Sequence, residues 1–124
     1  MRRVISGLLV AIMLSGLSFA WPATASAQEH DMCEHDTTIV SLVHCVHHAT
    51  EMGHIGQAGV ATSLLAKLNA AQAQLDQGQT RATENILRAF IYEVAAQSGK
   101  SIAAEHATHL IEHAQHVIAA LPRT

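Results

Sequence analysis

The chain has two prolines, Pro22 and Pro122, and none between them. Proline ends helices because it lacks an N–H donor and clashes with the preceding turn. A long stretch without it can be helical throughout, and the apolar pattern decides whether it is. No segment alternates apolar and polar residues with period two. Apolar residues instead recur at three- and four-residue intervals, the spacing of one helix face.

Four helices are predicted. The first covers about 37–52, with Ile39, Leu42, Val43 and Val46 on one face. Asp36 or Thr37 can cap its start, and Gly53 ends it. Residues 53–59 (GHIGQAG) form a glycine-rich loop with Ile55 as an apolar plug. The second helix covers about 60–77, with a stripe of Val60, Leu64, Leu68, Ala71 and Leu75, and Gly78 stops it. The third covers about 80–98, with Thr80 as N-cap and Gly99 at its end. Its expected buried set is Ala82, Ile86, Leu87, Phe90, Ile91 and Val94. Phe90 is the expected buried aromatic, with Tyr92 as a second candidate. The fourth covers about 103–121 and buries Ala107, Leu110, Ile111, Ala114, Val117, Ile118 and Leu121. Every linker is short, so consecutive helices should be antiparallel neighbours. The expected fold is all-α, a small up-and-down antiparallel bundle of three to four helices over residues 37–121.

The N-terminus reads differently. Arg2 and Arg3 precede an apolar run over residues 4–20, broken only by small residues. Trp21-Pro22 breaks that run, and Ala25-Ser26-Ala27 supplies the small-x-small pattern that a signal peptidase pocket admits. Residues 1–27 are therefore expected to be a cleaved secretory signal. Ala23-Thr24-Ala25 offers a second cutting box. Cys33 does not follow either box directly, which argues against a lipoprotein anchor. Residues 28–36 (QEHDMCEHD) form a polar tail.

The chain carries a net charge of −3 with histidine neutral. Loss of Arg2 and Arg3 with the signal takes it to −5. An acidic domain without a basic stripe is poorly suited to nucleic acid or to an anionic membrane surface. No nucleic-acid partner is expected, and no membrane association after cleavage. The two cysteines, Cys33 and Cys45, would then lie in an oxidising compartment, where an isolated pair is most simply a disulfide. A tail running back beside the first helix brings Cys33 level with Cys45. A metal thiolate and two reduced thiols are the competing readings.

Ten histidines is a large number for this length. His106, His109, His113 and His116 fall on one side of the fourth helix, away from the centre of its apolar stripe. They are expected to flank the core or face solvent. His106 and His116 lie about 15 Å apart along the axis, so one ion cannot bind all four. A pair completed by His44 and His48 of the first helix could hold zinc, copper or nickel between helices. The alternative is a solvated polar face. Cleavage after Ala27 would also expose Gln28-Glu29-His30. An α-amine, two amides and the His30 imidazole make a square-planar set suited to Cu(II) or Ni(II).

His109-Leu110-Ile111-Glu112-His113 spells a metalloprotease zinc motif. Such enzymes also need a distal ligand and a large substrate chamber, which the rest of this sequence does not offer, so the match is read as coincidence. No haem-attachment motif, phosphate-cradling glycine loop or nucleophile elbow is present. The chain is not expected to be an enzyme or to require a cofactor.

From the first loop onward a set of elements recurs that resembles the FIMAH domain, a helical module associated with cell-wall maintenance proteins. The elements are Gly53-x-Ile55, Ser63-Leu64-Leu65-x-Lys67-Leu68, Ala71, Gly78 and Leu87-x-Ala89-Phe90-Ile91-x-x-Val94. Gln97-Ser98-Gly99-Lys100-x-Ile102, Ala107 and Leu110-Ile111 complete it, so the resemblance covers residues 53–121. It implies a helical fold, a place at the cell surface, and a binding or spacer role without catalysis. The partner implied is envelope polymer or another protein. The histidines exceed what that pattern asks for, which keeps a histidine-rich Cu, Ni or Zn-binding protein as the alternative.

Overall fold

A computed structural model describes residues 36–123. The export segment, His30, Cys33 and nearly all of the polar tail lie outside the described residues. Four helices follow one another: α1 (Ile39–Glu51), α2 (Ala58–Asp76), α3 (Thr80–Gln97) and α4 (Ala104–Ala120). Each packs against two others, closing a ring in which α1 meets α2 and α4, and α3 meets α2 and α4. Side-chain contacts fix the antiparallel directions. Ser63 meets Glu93 early in α2 and late in α3, whereas Ala71 meets Thr83 late in α2 and early in α3. The four expected helices are present, with their ends displaced by at most two residues.

The ends follow from local chemistry. Thr38 is extended (φ −122°), and its hydroxyl accepts a 3.1 Å hydrogen bond from Ser41 N–H. It therefore takes the capping role one residue after Thr37. At the other end of α1, Gly53 has φ +79°, a conformation that suits a residue without Cβ. Its N–H donates to the Thr50 carbonyl at 3.1 Å, and His54 N–H donates to that of Ala49 at 2.8 Å. This paired closure satisfies carbonyls that the helix leaves open. Gly78 (φ +73°) ends α2 in the same way, with Gln79 N–H donating to the Gln74 carbonyl. Thr80 does not cap α3. It is the first helical residue, and Gln79 occupies the cap position without a side-chain bond.

Two loops meet at one end of the bundle. Gly56 N–H donates to the Ser101 carbonyl at 2.8 Å, and Ala103 N–H donates to that of His54 at 2.9 Å. Between these bonds Ile55 and Ile102 form an antiparallel bridge, and both side chains are buried. Ile55 is the plug its position in the loop predicted. The core above it is built from Leu42, Val46, Leu64, Leu68, Leu87, Phe90 and Val94, each without solvent exposure. Each such side chain contributes about 1.5–3 kcal/mol relative to exposure.

Three expectations about burial are corrected. Thr83 is fully buried on α3, and its hydroxyl donates back to the Gln79 carbonyl at 3.0 Å, so its polar atom is satisfied inside the bundle. Ala82, Ile86 and Ile91 are only half-buried. Tyr92 is no core aromatic. It is 72% exposed, because α3 turns Leu87, Phe90 and Val94 inward and leaves position 92 outside.

Candidate functional site

The clearest polar cluster lies between α1 and α4. His113 is 1% exposed, which corrects for this residue the expectation that the α4 histidines flank the core or face solvent, while His106, His109 and His116 meet it. The reason is geometric. Leu110, Ala114 and Val117 are buried, and residue 113 lies one helical turn from both 110 and 117. The buried face of α4 therefore sits closer to position 113 than the Ile111–Ile118 edge suggests. Both isoleucines are only half-buried. Opposite His113, α1 presents Ser41 and Cys45, two small side chains one turn apart, which leave room for the imidazole.

The ring's partners fix its tautomer. Nε2 lies 2.8 Å from the Asp36 carbonyl oxygen and 2.9 Å from Ser41 Oγ. A carbonyl only accepts, so Nε2 carries the hydrogen and donates to it. In the neutral ring Nδ1 is then an acceptor, and the Cys45 thiol, 3.5 Å away, donates to it. The single hydrogen of Ser41 Oγ is shared between the carbonyls of Asp36 and Thr38, and the oxygen faces Nε2–H as an acceptor. One imidazole thus ties the approach to α1, the body of α1 and α4 together. A cysteine beside a histidine can form a nucleophile pair, but Cys45 is 5% exposed, and this pair is built into packing.

The other candidate metal ligands are scattered. His44 and His116 are exposed, while His48, His106 and His109 are half-buried. His106 stacks on His54 with ring centroids 3.6 Å apart and planes 16° apart, pinning the first turn of α4 to the loop after α1. Neighbouring α1 and α4 do allow an interhelical arrangement. Among the described residues, however, no three histidine, cysteine, aspartate or glutamate side chains are grouped to hold a metal ion. Of the H-x-x-E-H residues, His113 is engaged as above and Glu112 is exposed.

A second polar region, absent from the sequence reading, lies on the opposite side of α4. The antiparallel α3 and α4 leave an open groove of about 640 Å³ running to the chain's last described residues. Arg81, Arg88 and Arg123 line it against a single acidic residue, Glu84, and a shallower extension reaches Tyr92. Arg88 donates to Glu84 from two nitrogens, at 3.0 and 2.7 Å. Among the described residues Arg81 and Arg123 have no ion-pair partner, whereas Lys67 is bound to Glu93 at 2.5 Å. Gln115, Ile118 and Ile91 complete the floor. Arg81 and Arg88, two turns apart on one helix, are the signal that could have marked this face; Arg123 joins them only through the α3–α4 pairing.

The fold defines the class, an all-α module of four antiparallel helices. Residues 40–119 match the FIMAH domain model, and the chain belongs to that family. The match begins within α1, so the family unit includes all four helices rather than starting at residue 53. No curated protein and no solved structure matches the chain.

Proposed function

We propose that the chain is exported and acts outside the cytoplasm as a non-catalytic helical module that holds envelope material, a polymer or a protein. The observation that carries this reading is the contrast between the two sides on which α4 packs, against α1 and against α3. The most chemically versatile residue of α4, His113, is consumed by packing, while the arginine-lined groove on the other side is open. Such a surface suits retention of a partner rather than bond making. The basic start, apolar run and Ala25-Ser26-Ala27 box support export, and among the described residues no helix is long and apolar enough to cross a membrane.

In that compartment Cys45 pairs with Cys33, and oxidation replaces the S–H that donates to His113 Nδ1 in the reduced chain with the S–S bond. Asp36 lies against His113, which itself touches Cys45, and three residues of chain reach at most about 10 Å from Asp36. Closing so short a loop contributes about 3 kcal/mol in the chain-entropy account.

Intact mass of the exported protein tests both statements together. The expected species begins at residue 26 or 28, is two hydrogens lighter than the reduced chain, and co-sediments with the envelope fraction. Its native mass also reports any bound copper, nickel or zinc. Full-length protein in the cytoplasm, or an exported protein that retains no envelope material, overturns the reading.

A further inference from the structure

We infer that the α3–α4 groove is a binding site for an acidic polysaccharide, a sugar chain bearing spaced carboxylates. This rests on the reading above and names the surface and ligand that carry it out. In a chain of net charge −3, three arginines face one glutamate in a single groove. The planar guanidinium fork matches a carboxylate through two parallel hydrogen bonds. Arg81 and Arg123, which have no ion-pair partner among the described residues, are the pair available for that contact. Arg88 is held by Glu84 and keeps the centre of the groove near neutral.

The remaining lining selects among anions. Tyr92, 72% exposed at the far end of the groove, offers an aromatic face to the apolar C–H side of a sugar ring. Ile91 and Ile118 continue that apolar strip, and the Gln115 amide can both donate to and accept from hydroxyls. A densely charged strand such as polyphosphate would meet Glu84. Clustered arginines also hold acidic peptides, but a flexible peptide makes no specific use of an exposed aromatic face beside an apolar strip, and Tyr92, Ile91 and Ile118 supply both. Separated carboxylates on an otherwise neutral, ring-built chain fit all of these features.

The experiment titrates the purified exported chain with polygalacturonate, neutral dextran, poly-L-glutamate and polyphosphate. Polygalacturonate is expected to bind, more weakly as salt screens the arginines. Arg81→Gln with Arg123→Gln should lower affinity about tenfold or more, as expected for losing charge-assisted contacts. Tyr92→Ala should lower it several-fold. Lys100→Gln removes a single positive charge at the opposite end of the bundle and should change nothing. All four positions are exposed, and unchanged melting curves establish that each variant is folded. The site assignment is overturned if polygalacturonate does not bind, or if the double variant binds as the parent does. Dextran, poly-L-glutamate or polyphosphate binding as tightly, with no effect of Tyr92→Ala, overturns the ligand class. An envelope-retained parent whose double variant is retained equally sinks this inference alone; a parent that is not retained sinks the broader reading.

Discussion

The two long sides of α4 use polar residues in opposite ways. Toward α1, a histidine and a cysteine are drawn inside beside a half-buried serine, and the three are spent on one another and on backbone carbonyls. Toward α3, arginines, a glutamine and a tyrosine stay at the surface and line an open groove. The difference follows from side-chain size and charge. Imidazole can be buried neutral once both nitrogens have partners. Guanidinium stays charged under all ordinary conditions and is too costly to bury without a full set of acceptors. The same helix therefore fastens with one edge and displays with the other, and residue chemistry decides which edge is which.

The largest expected effect breaks the fastened side. His113→Ala removes a buried ring and leaves the Asp36 carbonyl and the Cys45 sulfur without it. Urea unfolding should report a loss of about 3 kcal/mol, combining a cavity with unmade hydrogen bonds. Below the variant's own midpoint, polygalacturonate affinity should remain that of the parent. A matching loss of affinity would mean that the two sides are coupled rather than independent.

Ser41→Ala is a gentler cut on the same side. It deletes a hydroxyl that reaches His113 Nε2 and two carbonyls, and it should cost about 1 kcal/mol by the same measurement. A change as large as that of His113→Ala would place the weight of the seam on the serine instead. The smallest effect belongs to the displayed side. Arg81→Gln with Arg123→Gln should shift stability by no more than about 0.5 kcal/mol, the ordinary range for exposed substitutions. A larger shift would show these arginines to be structural and would erase the contrast.

Much of the bundle could be read before its structure. Glycines 53 and 78 marked helix ends because the chain needs a left-handed residue there, and few others accept it. Ile55 stood out as an apolar residue stranded in a glycine-rich loop. Burial was harder. Thr83 and His113 are polar residues whose satisfaction depends on partners elsewhere in the fold: carbonyls for the threonine, and Asp36, Ser41 and Cys45 for the histidine. Periodicity assigns such residues to the surface because it weighs each side chain alone. Tyr92 failed in the opposite sense, since an aromatic side chain attracts a core assignment that its angular position refuses. The groove was illegible for a third reason. Arg123 lies far along the chain from Arg81, and only antiparallel pairing of α3 with α4 brings them to one cleft.

The bond between Asp36 and His113 has a mechanical consequence. Four antiparallel helices bring the entry to α1 and the exit from α4 to the same end of the bundle, on adjacent helices. A pull transmitted through the two flanking segments would peel α1 from α4 one contact at a time instead of shearing the whole interface at once. The imidazole stands among the first links in that path. In a longer chain under tension, such a module hangs to the side as a pendant, and the resistance of its first contact to tearing sets when it opens.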